Sequence, residues 1–230
     1  MTLKLFRPLA VAVAALALSA TARAADPAEQ QPWQRPGADL GVRVGYAVPM
    51  GSTTGAAGDD LSNLFSGAVP LILEAGYRID AAFSLGLTFQ YAFAQVNGMV
   101  GCDNQPGVSC SGSVIRLGAE GIYRLPVEGA FVPWLGLGTG YEWISFDVSG
   151  NGYQESIGAH GFEFVNFQLG GDIRAAPQFA VGPFVSLSIG QYDTASLSGN
   201  APGYTAMSAD IANKATHEWL EFGVRGTLNL

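Results

Sequence analysis

The chain has few charged residues: Asp, Glu, Lys and Arg together make up 13% of its 230 residues, against about 25% in a typical soluble domain. After residue 24 it also lacks any apolar run long enough to cross a bilayer as a helix, because Gly, Arg or Glu interrupts each apolar stretch. This second absence excludes a helical inner-membrane protein. Two cysteines and two histidines complete the scarce residue types, and we predict no cofactor and no metal site.

Positive charge is scarcer than negative charge, and the formal net charge is −8. Removal of the N-terminal segment described next takes away Lys4, Arg7 and Arg23 and makes the remaining chain more acidic. An acidic chain without basic clusters is a poor partner for nucleic acid, which we therefore exclude.

Residues 1–24 contain the three parts of a secretory signal peptide: a basic start, an apolar run from Leu9 to Ala20, and a terminal Ala22-Arg23-Ala24. We expect cleavage after Ala24. An uncleaved anchor helix is the alternative, but the apolar run is short for that role and small residues stand at the cleavage position. Residues 25–38 are polar and Pro-rich and are expected to form a disordered lead-in to one domain, residues 39–230.

Residues 39–230 repeat one pattern, segments with apolar side chains at every second position, which predicts β-strands with one apolar face. Eight such segments are present: Asp39–Pro49, Ala68–Asp80, Ala82–Gln95, Ser113–Leu125, Ala130–Phe146, Phe162–Arg174, Gln178–Tyr192 and His217–Leu230.

The connections between these segments alternate in length. Long polar connections follow the odd-numbered segments (residues 50–67, 96–112, 147–161 and 193–216), and short ones follow the second, fourth and sixth. This asymmetry is typical of an outer-membrane up-and-down barrel with short periplasmic turns and long extracellular loops. We therefore predict an all-β, eight-stranded antiparallel transmembrane barrel.

The face opposite the apolar side chains combines many glycines with charges of both signs. An eight-stranded barrel is too narrow to hold five or six large apolar side chains per strand, so we expect the apolar face to meet lipid. A soluble barrel or sandwich with a ligand-binding interior is the alternative. Buried charges need partners, and we predict a luminal network of ion pairs made by Arg43, Glu74, Arg78, Arg116, Glu120, Arg124, Glu142, Asp172, Arg174, Glu221 and Arg225.

Aromatic residues near the ends of the segments weakly favour interfacial girdles, although strand propensity explains them equally. The girdle candidates are Tyr46, Tyr77, Tyr91, Tyr123, Tyr141, Trp143, Tyr192 and Trp219.

Pro133 and Pro183 lack the backbone N–H donor that pairing in a sheet requires, so we expect a bulge or a strand end at each.

With this architecture the chain resembles the small eight-stranded outer-membrane proteins of the OmpA-barrel, OmpX and OmpW types. The final segment, WLEFGVRGTLNL, resembles the C-terminal signal read by the barrel-assembly machinery, except that Leu230 replaces the usual aromatic residue. The resemblance implies an outer-membrane location and contact with lipid and lipopolysaccharide. The OmpW type further implies a passage for small hydrophobic molecules, and other members imply a lipid-modifying hydrolase.

Cys102 and Cys110 flank a Pro-Gly turn in an exported chain, which predicts a local disulfide; a metal pair is the alternative. A hydrolase would need a Ser–His–carboxylate arrangement, for which His217, Ser188 and Glu218 are the candidates, whereas a polar rim position is the simpler interpretation of His160 and His217.

The loops are acidic but contain no calcium-binding ligand run. In the first loop, Asp59 and Asp60 precede apolar residues at helical spacing (Leu61, Leu64 and Phe65), which indicates a short helix at the barrel mouth or ordinary loop packing. We predict a monomeric, non-enzymatic barrel with a structural or surface-interaction role. Passage of hydrophobic molecules is the alternative, and lipid hydrolysis the third.

Overall fold

The computed structural model describes residues 32–97, 107–127, 129–150, 152–200 and 205–230. A 3-10 turn (Pro32–Gln34) precedes the first strand, and one helical turn, α1 (Leu61–Leu64), lies between the first two strands. The strands in this part of the chain are β1 (Gly37–Gly51), β2 (Phe65–Arg78), β3 (Phe83–Val96), β4 (Val108–Arg124), β5 (Phe131–Gly150), β6 (Tyr153–Arg174), β7 (Phe179–Gly199), β8 (Met207–Asp210) and β9 (Thr216–Asn229).

Eight strands close into a barrel. Strands β1 to β7 pair antiparallel with their sequence neighbours, and β9 completes the ring between β7 and β1, while β8 pairs with the outer end of β7. The predicted all-β, eight-stranded up-and-down barrel is confirmed.

The register of the strands fixes the width of the barrel. Paired residues followed once around the wall from Asp39 return to β1 at Pro49, ten residues further along the strand. A shear of ten over eight strands corresponds to a tilt of about 41° and a radius of about 8 Å. Side chains fill a bore of this width.

The outside of the barrel carries an apolar belt. Leu87 and Phe93 are 68% and 63% exposed, and the rise from Phe83 to Phe93 corresponds to about 25 Å along the barrel axis, close to the height of a lipid-facing band. The predicted outward orientation of the apolar face is therefore confirmed. The belt includes Leu40, Val42, Val44, Val69, Leu71, Leu73, Leu85, Leu87, Phe89, Phe93, Leu117, Leu135, Leu137, Phe167, Leu169, Phe222 and Val224.

Two predicted long connections are largely strand. Instead of a loop over residues 147–161, β5 runs to Gly150 and β6 begins at Tyr153. Gly152, directly before β6, has φ +83°, a backbone conformation that favours glycine. The predicted loop over residues 193–216 likewise contains the end of β7 and all of β8. The prediction failed because the alternation continues in these segments with serine and aspartate on the outer face in place of apolar residues. Such a polar sequence is typical of a loop.

Two aromatic residues predicted in the girdle face the lumen instead. Tyr192 and Trp219 are 0% and 1% exposed, because both occupy inward positions and direct their polar groups at a buried carboxylate described below. By contrast, Tyr77 and Tyr123 lie exposed near the short-turn end of the barrel.

The prediction of a bulge or a strand end holds for Pro133 and fails for Pro183. Pro133 is the third residue of β5, where pairing with β4 ends at Trp134. Pro183 lies inside β7 without a bulge, in continuous register with β9. Pairing with β6 lapses beside it, between Gly170 and Ile173.

The chain is structured earlier than predicted and its helix is shorter. Within the proposed disordered lead-in, the 3-10 turn at Pro32–Gln34 buries Trp33, and Gly37 already belongs to β1. In α1, Asp60 is the N-cap residue but makes no side-chain capping bond. Phe65, predicted on the helix, begins β2. No helix in the described residues is both long enough and apolar enough to cross a membrane.

Candidate functional site

The lumen of the barrel gathers the buried charges of the molecule. Ten of the eleven predicted network residues are buried there, together with further side chains that the prediction omitted. The additional residues include Asp39, Gln90, Trp134, Glu163, Gln168, Tyr192, His217 and Trp219.

The layer at the short-turn end is built on Asp39. Arg78 binds Asp39 and Asn229, and Nη2 of Arg124 lies 3.2 Å from Asp39. Arg124 also donates to the Ser84 hydroxyl at 3.0 Å. These contacts connect the first and last strands of the barrel with β2, β3 and β4.

The middle layer is built on two arginines that share one carboxylate. Arg43 pairs with Glu74 and, at 3.0 Å, with Glu120, while Arg225 lies 2.7 Å from Glu74 and 3.1 Å from Asp172. Both guanidinium groups lie against the Trp134 ring, with their carbons 5.6 and 4.8 Å from its centroid. Cation–π contact of this kind stabilises charges that have left water.

The upper layer surrounds Arg116. Its guanidinium pairs with Glu142, lies 3.4 Å from Glu163 and 2.9 Å from Glu221, and stacks over the Trp219 ring at 5.7 Å. Gln90 donates a further hydrogen bond to Glu221 at 3.0 Å. One arginine therefore faces three buried carboxylates.

Glu142 is the acceptor for most of this layer. The Tyr192 hydroxyl and, at 3.2 Å, the Trp219 indole donate to it, and His217 Nε2 lies 3.3 Å away. The imidazole of His217 stacks flat on Tyr192, with ring centroids 3.9 Å apart. Glu142 is thus held by groups from three other strands.

The charges are balanced in two layers and unbalanced in the third. The two lower layers contain four arginines (Arg43, Arg78, Arg124, Arg225) and four carboxylates (Asp39, Glu74, Glu120, Asp172). The upper layer contains Arg116 against Glu142, Glu163 and Glu221, with His217 as the additional titratable group. Oε2 of Glu163 lies 3.4 Å from Nε of Arg116 but accepts no hydrogen bond from the described residues.

Two small cavities lie between the layers. The larger cavity, of about 30 Å³, is lined by Arg116, Glu163, Asn166 and Gln168 among others; the smaller has a volume of about 10 Å³. The larger space suits about two water molecules. Neither cavity holds a drug-sized ligand.

An apolar cluster, which we call the apolar plug, lies in the lumen at the loop end. Leu61 of α1 and Phe65 at the start of β2 are fully buried and pack against inward side chains of the surrounding strands. The plug consists of Ala47, Leu61, Phe65, Ala68, Ala92, Val114, Ile144, Phe146, Tyr192, Ile211 and Trp219.

Arg174 lies outside the predicted network, which is a correction. It forms none of the ion pairs seen in the described residues, and its guanidinium stacks over the Trp33 ring at 5.5 Å. The reason is its position as the last residue of β6, beyond the end of the filled lumen.

The catalytic arrangement considered from the sequence is not formed. His217 Nε2 faces Glu142, and within the described residues His217 Nδ1 has no hydrogen-bond partner, so Ser188 is bonded to neither nitrogen. Glu218 lies on the opposite face of β9. The predicted rim position of His217 is therefore wrong, whereas His160 is partly exposed and contacts the Tyr141 hydroxyl at 2.6 Å.

The remaining predictions concern metal ligands, the disulfide and the signal peptide. No cluster of potential metal ligands occurs in the part of the chain that the structure describes. Cys102 and the signal peptide lie outside the described residues, so the Cys102–Cys110 disulfide and the cleavage after Ala24 stay predictions.

A closed eight-stranded wall that is apolar outside and filled with ion pairs inside defines a small β-barrel of inverted polarity. Solved structures with a similar fold include the outer membrane protein OprG from Pseudomonas aeruginosa (15% identity, TM-score 0.48, covering 86% of this chain and 99% of that chain). The outer membrane protein AlkL in lipid bilayers is also similar (13% identity, TM-score 0.49, covering 90% of this chain and 97% of that chain). So is Neisserial surface protein A (14% identity, TM-score 0.45, covering 83% of this chain and 97% of that chain).

These similarities concern the general architecture. No family profile and no curated protein sequence matches the chain. The barrel assignment depends on the strand pairing itself.

Proposed function

We propose that the protein is an outer-membrane barrel with a structural or surface-interaction role and a closed lumen. The observation that carries this proposal is the inverted polarity: exposed side chains such as Leu87 and Phe93 surround a bore that buries five arginines and seven carboxylates. In water, this arrangement would expose the apolar belt, which costs free energy. In a bilayer, the belt meets hydrocarbon, while the charges stay inside the barrel and are paired with one another.

The proposed orientation places the short turns in the periplasm and the long hairpins outside the cell. Export through a cleaved signal peptide, recognition of the last strand by the barrel-assembly machinery, and contact with lipid and lipopolysaccharide belong to the same proposal. We propose a monomer, because the closed ring of β1–β7 and β9 leaves no unpaired strand edge within the belt region.

The membrane assignment is tested by gel migration and solubility. The purified protein is expected to need detergent for a monodisperse solution, and to migrate faster on a gel when unboiled than when boiled. A polypeptide that stays monodisperse without detergent would overturn the assignment.

The closed lumen is tested by conductance. In planar bilayers we expect no stable channel, because three layers of ion pairs and the apolar plug would all have to rearrange. A reproducible open state of the wild-type protein would contradict the proposed plug.

Passage of small hydrophobic molecules is the second candidate, favoured by the apolar character of the barrel mouth. It requires α1 to leave the mouth, because Leu61 and Phe65 fill it, and it requires an exit through the wall. Uptake of apolar solutes by a strain lacking the protein, compared with its parent, tests this candidate. Equal uptake leaves the structural role. We propose no catalytic activity, because the buried His217 is engaged by Glu142 and Tyr192.

A further inference from the structure

Strands β4 to β8 extend well above the apolar belt on one side of the barrel. From Trp143, at the upper edge of the belt, β5 continues to Gly150, which corresponds to about 17 Å along the barrel axis. On the opposite side, β1 and β2 end near the top of the belt. The barrel therefore projects a one-sided sheet beyond the membrane.

The outer surface of this projecting sheet, which we call the outer polar face, is rich in hydroxyl groups. Residues paired across adjacent strands point to the same side, so the strand register defines the face in rows. One row contains Ser113, Ser145, Gly158, Ser196 and Ser208; the next contains Ser111, Asp147, Ser156 and Ser198; the last contains Ser109, Ser149 and Gln154.

The lower border of the outer polar face is aromatic. Its first row contains Ile115, Trp143, His160, Thr194 and Asp210. Below it, Tyr141 stacks obliquely on Trp143, with centroids 4.7 Å apart, and contacts His160. The outer polar face is therefore continuous with the apolar belt, along the same side of the same strands.

The composition of this face is unusual for an exposed sheet. Serine is not among the residues enriched in strands, and sheet edges are ordinarily protected by lysine and other charges. No Lys or Arg occurs in the rows described above, and Asp147 and Asp210 are their carboxylates. Without cations the face does not attract phosphate directly, and without large apolar groups it does not attract acyl chains.

Short hydroxyl side chains lose little rotamer entropy when a ligand orders them, and they donate and accept hydrogen bonds. Aromatic rings at the border offer flat apolar surfaces. This chemistry fits an uncharged polyol, and the position directly outside the belt is where the sugars of outer-leaflet glycolipids lie. We propose that the outer polar face binds the saccharide of lipopolysaccharide, an inference that rests on the proposed outer-membrane location.

The test compares vesicles that differ in sugar alone. The wild-type protein is inserted into bilayers of phospholipid with lipopolysaccharide that has a complete core, or with lipopolysaccharide truncated before the core sugars, and retention of each glycolipid on the affinity-captured barrel is measured. We expect the complete core to be retained more strongly, with the preference unchanged by a chelator. A preference abolished by the chelator would replace sugar contact with cation-bridged phosphate contact and overturn the inference.

The variant Ser113→Ala/Ser145→Ala/Ser156→Ala/Ser196→Ala removes hydroxyls at the centre of the face. We expect the preference for the complete core to fall about tenfold, the change that about 1.4 kcal/mol of lost hydrogen bonding produces. The control Ser62→Ala/Ser66→Ala removes exposed hydroxyls near β2, opposite β6 in the barrel, and should retain the preference.

Different results would overturn the proposed outer-membrane function and the saccharide inference. If the wild-type protein does not insert into either bilayer, the outer-membrane function itself is wrong. If it inserts with a folded, heat-modifiable band but retains both glycolipids equally, the membrane assignment stands and the saccharide inference is overturned. An unchanged preference in the quadruple variant also overturns it.

Discussion

Arg225 and Glu74 are 151 residues apart in the chain and face each other in the middle of the lumen, with Arg225 Nη2 donating to Glu74 Oε2 at 2.7 Å and Nε to Oε1 at 3.2 Å. Their strands, β9 and β2, are separated in the wall by β1. The pair therefore reaches past β1 and does not simply connect neighbouring strands. Its partners Arg43 and Asp172 extend the same contact to β6.

Arg225→Met is expected to destabilise the barrel strongly, because it leaves Glu74 and Asp172 with an uncompensated charge in the lumen. Loss of one partner of a buried ion pair costs about 3–5 kcal/mol. Urea unfolding in lipid vesicles, followed by the shift between folded and unfolded gel bands, measures the change. The exposed Lys214→Met is the matched control and should be close to wild type. Equal stability of both variants would contradict a stabilising network.

The double variant Arg225→Met/Glu74→Leu should be more stable than Arg225→Met alone, because removing both charges removes the unpaired carboxylate as well. Recovery will be partial, since Arg43 then loses one of its two carboxylate partners. The same urea titration measures it. Additive losses in the double variant would indicate that the two residues do not interact.

In the upper layer, Glu163→Gln and Glu142→Gln should have opposite effects. Glu163→Gln removes one of three carboxylates facing Arg116 and is expected to leave stability unchanged or to raise it. Glu142→Gln weakens the bonds from Arg116, Tyr192 and Trp219 and should cost about 2–3 kcal/mol, as charged hydrogen bonds of this kind do. A larger loss of stability from Glu163→Gln than from Glu142→Gln would contradict the roles given to Glu142 as the main acceptor and to Glu163 as the surplus carboxylate.

Leu87→Arg tests the apolar belt. A guanidinium near the middle of the lipid-facing band costs about 2–4 kcal/mol, so unfolding in vesicles should begin at lower urea. Ser149→Arg places the same side chain on β5 above the belt and is expected to be nearly neutral. If the two substitutions destabilise equally, the belt does not mark the bilayer.

Phe65→Ala tests the apolar plug. Truncating this fully buried ring should cost about 3–5 kcal/mol. Conductance is expected to stay closed, because the ion-pair layers lie below the plug. Stability is measured by urea unfolding and conductance in planar bilayers, and Leu64→Ala, at a partly buried position beside the plug, is the milder comparison. If Phe65→Ala opens a channel, the lumen is closed by the apolar plug alone and not by the ion-pair layers.

Alternation along the chain was sufficient to predict the eight barrel strands, their order and the orientation of most of their side chains. Arg43, Arg116 and Glu120 are inward for the same reason that Val42, Leu117 and Ala119 are outward. Which arginine meets which carboxylate was not predictable, because the pairing depends on the shear of the barrel, and no local pattern specifies that shear.

The missed residues have specific causes. Glu163 lies at a register shift, between Glu163 and Val165 on β6, so a strict period of two assigned the wrong phase around it. Asp39 was placed at the edge of the first strand, although the strand begins at Gly37. Trp219 and Tyr192 were assigned by residue type, and their inward positions between outward apolar neighbours were the better signal.

Contacts to the last strand also constrain the order of assembly. Until Arg225 and Glu221 have emerged from the biosynthetic machinery, Glu74, Asp172 and Arg116 lack principal partners, and the first strand lacks one neighbour. An unfinished polypeptide consequently carries ionised groups that hydrocarbon will not accept. The ring of strands and its luminal ion pairs therefore cannot form without the carboxyl-terminal strand.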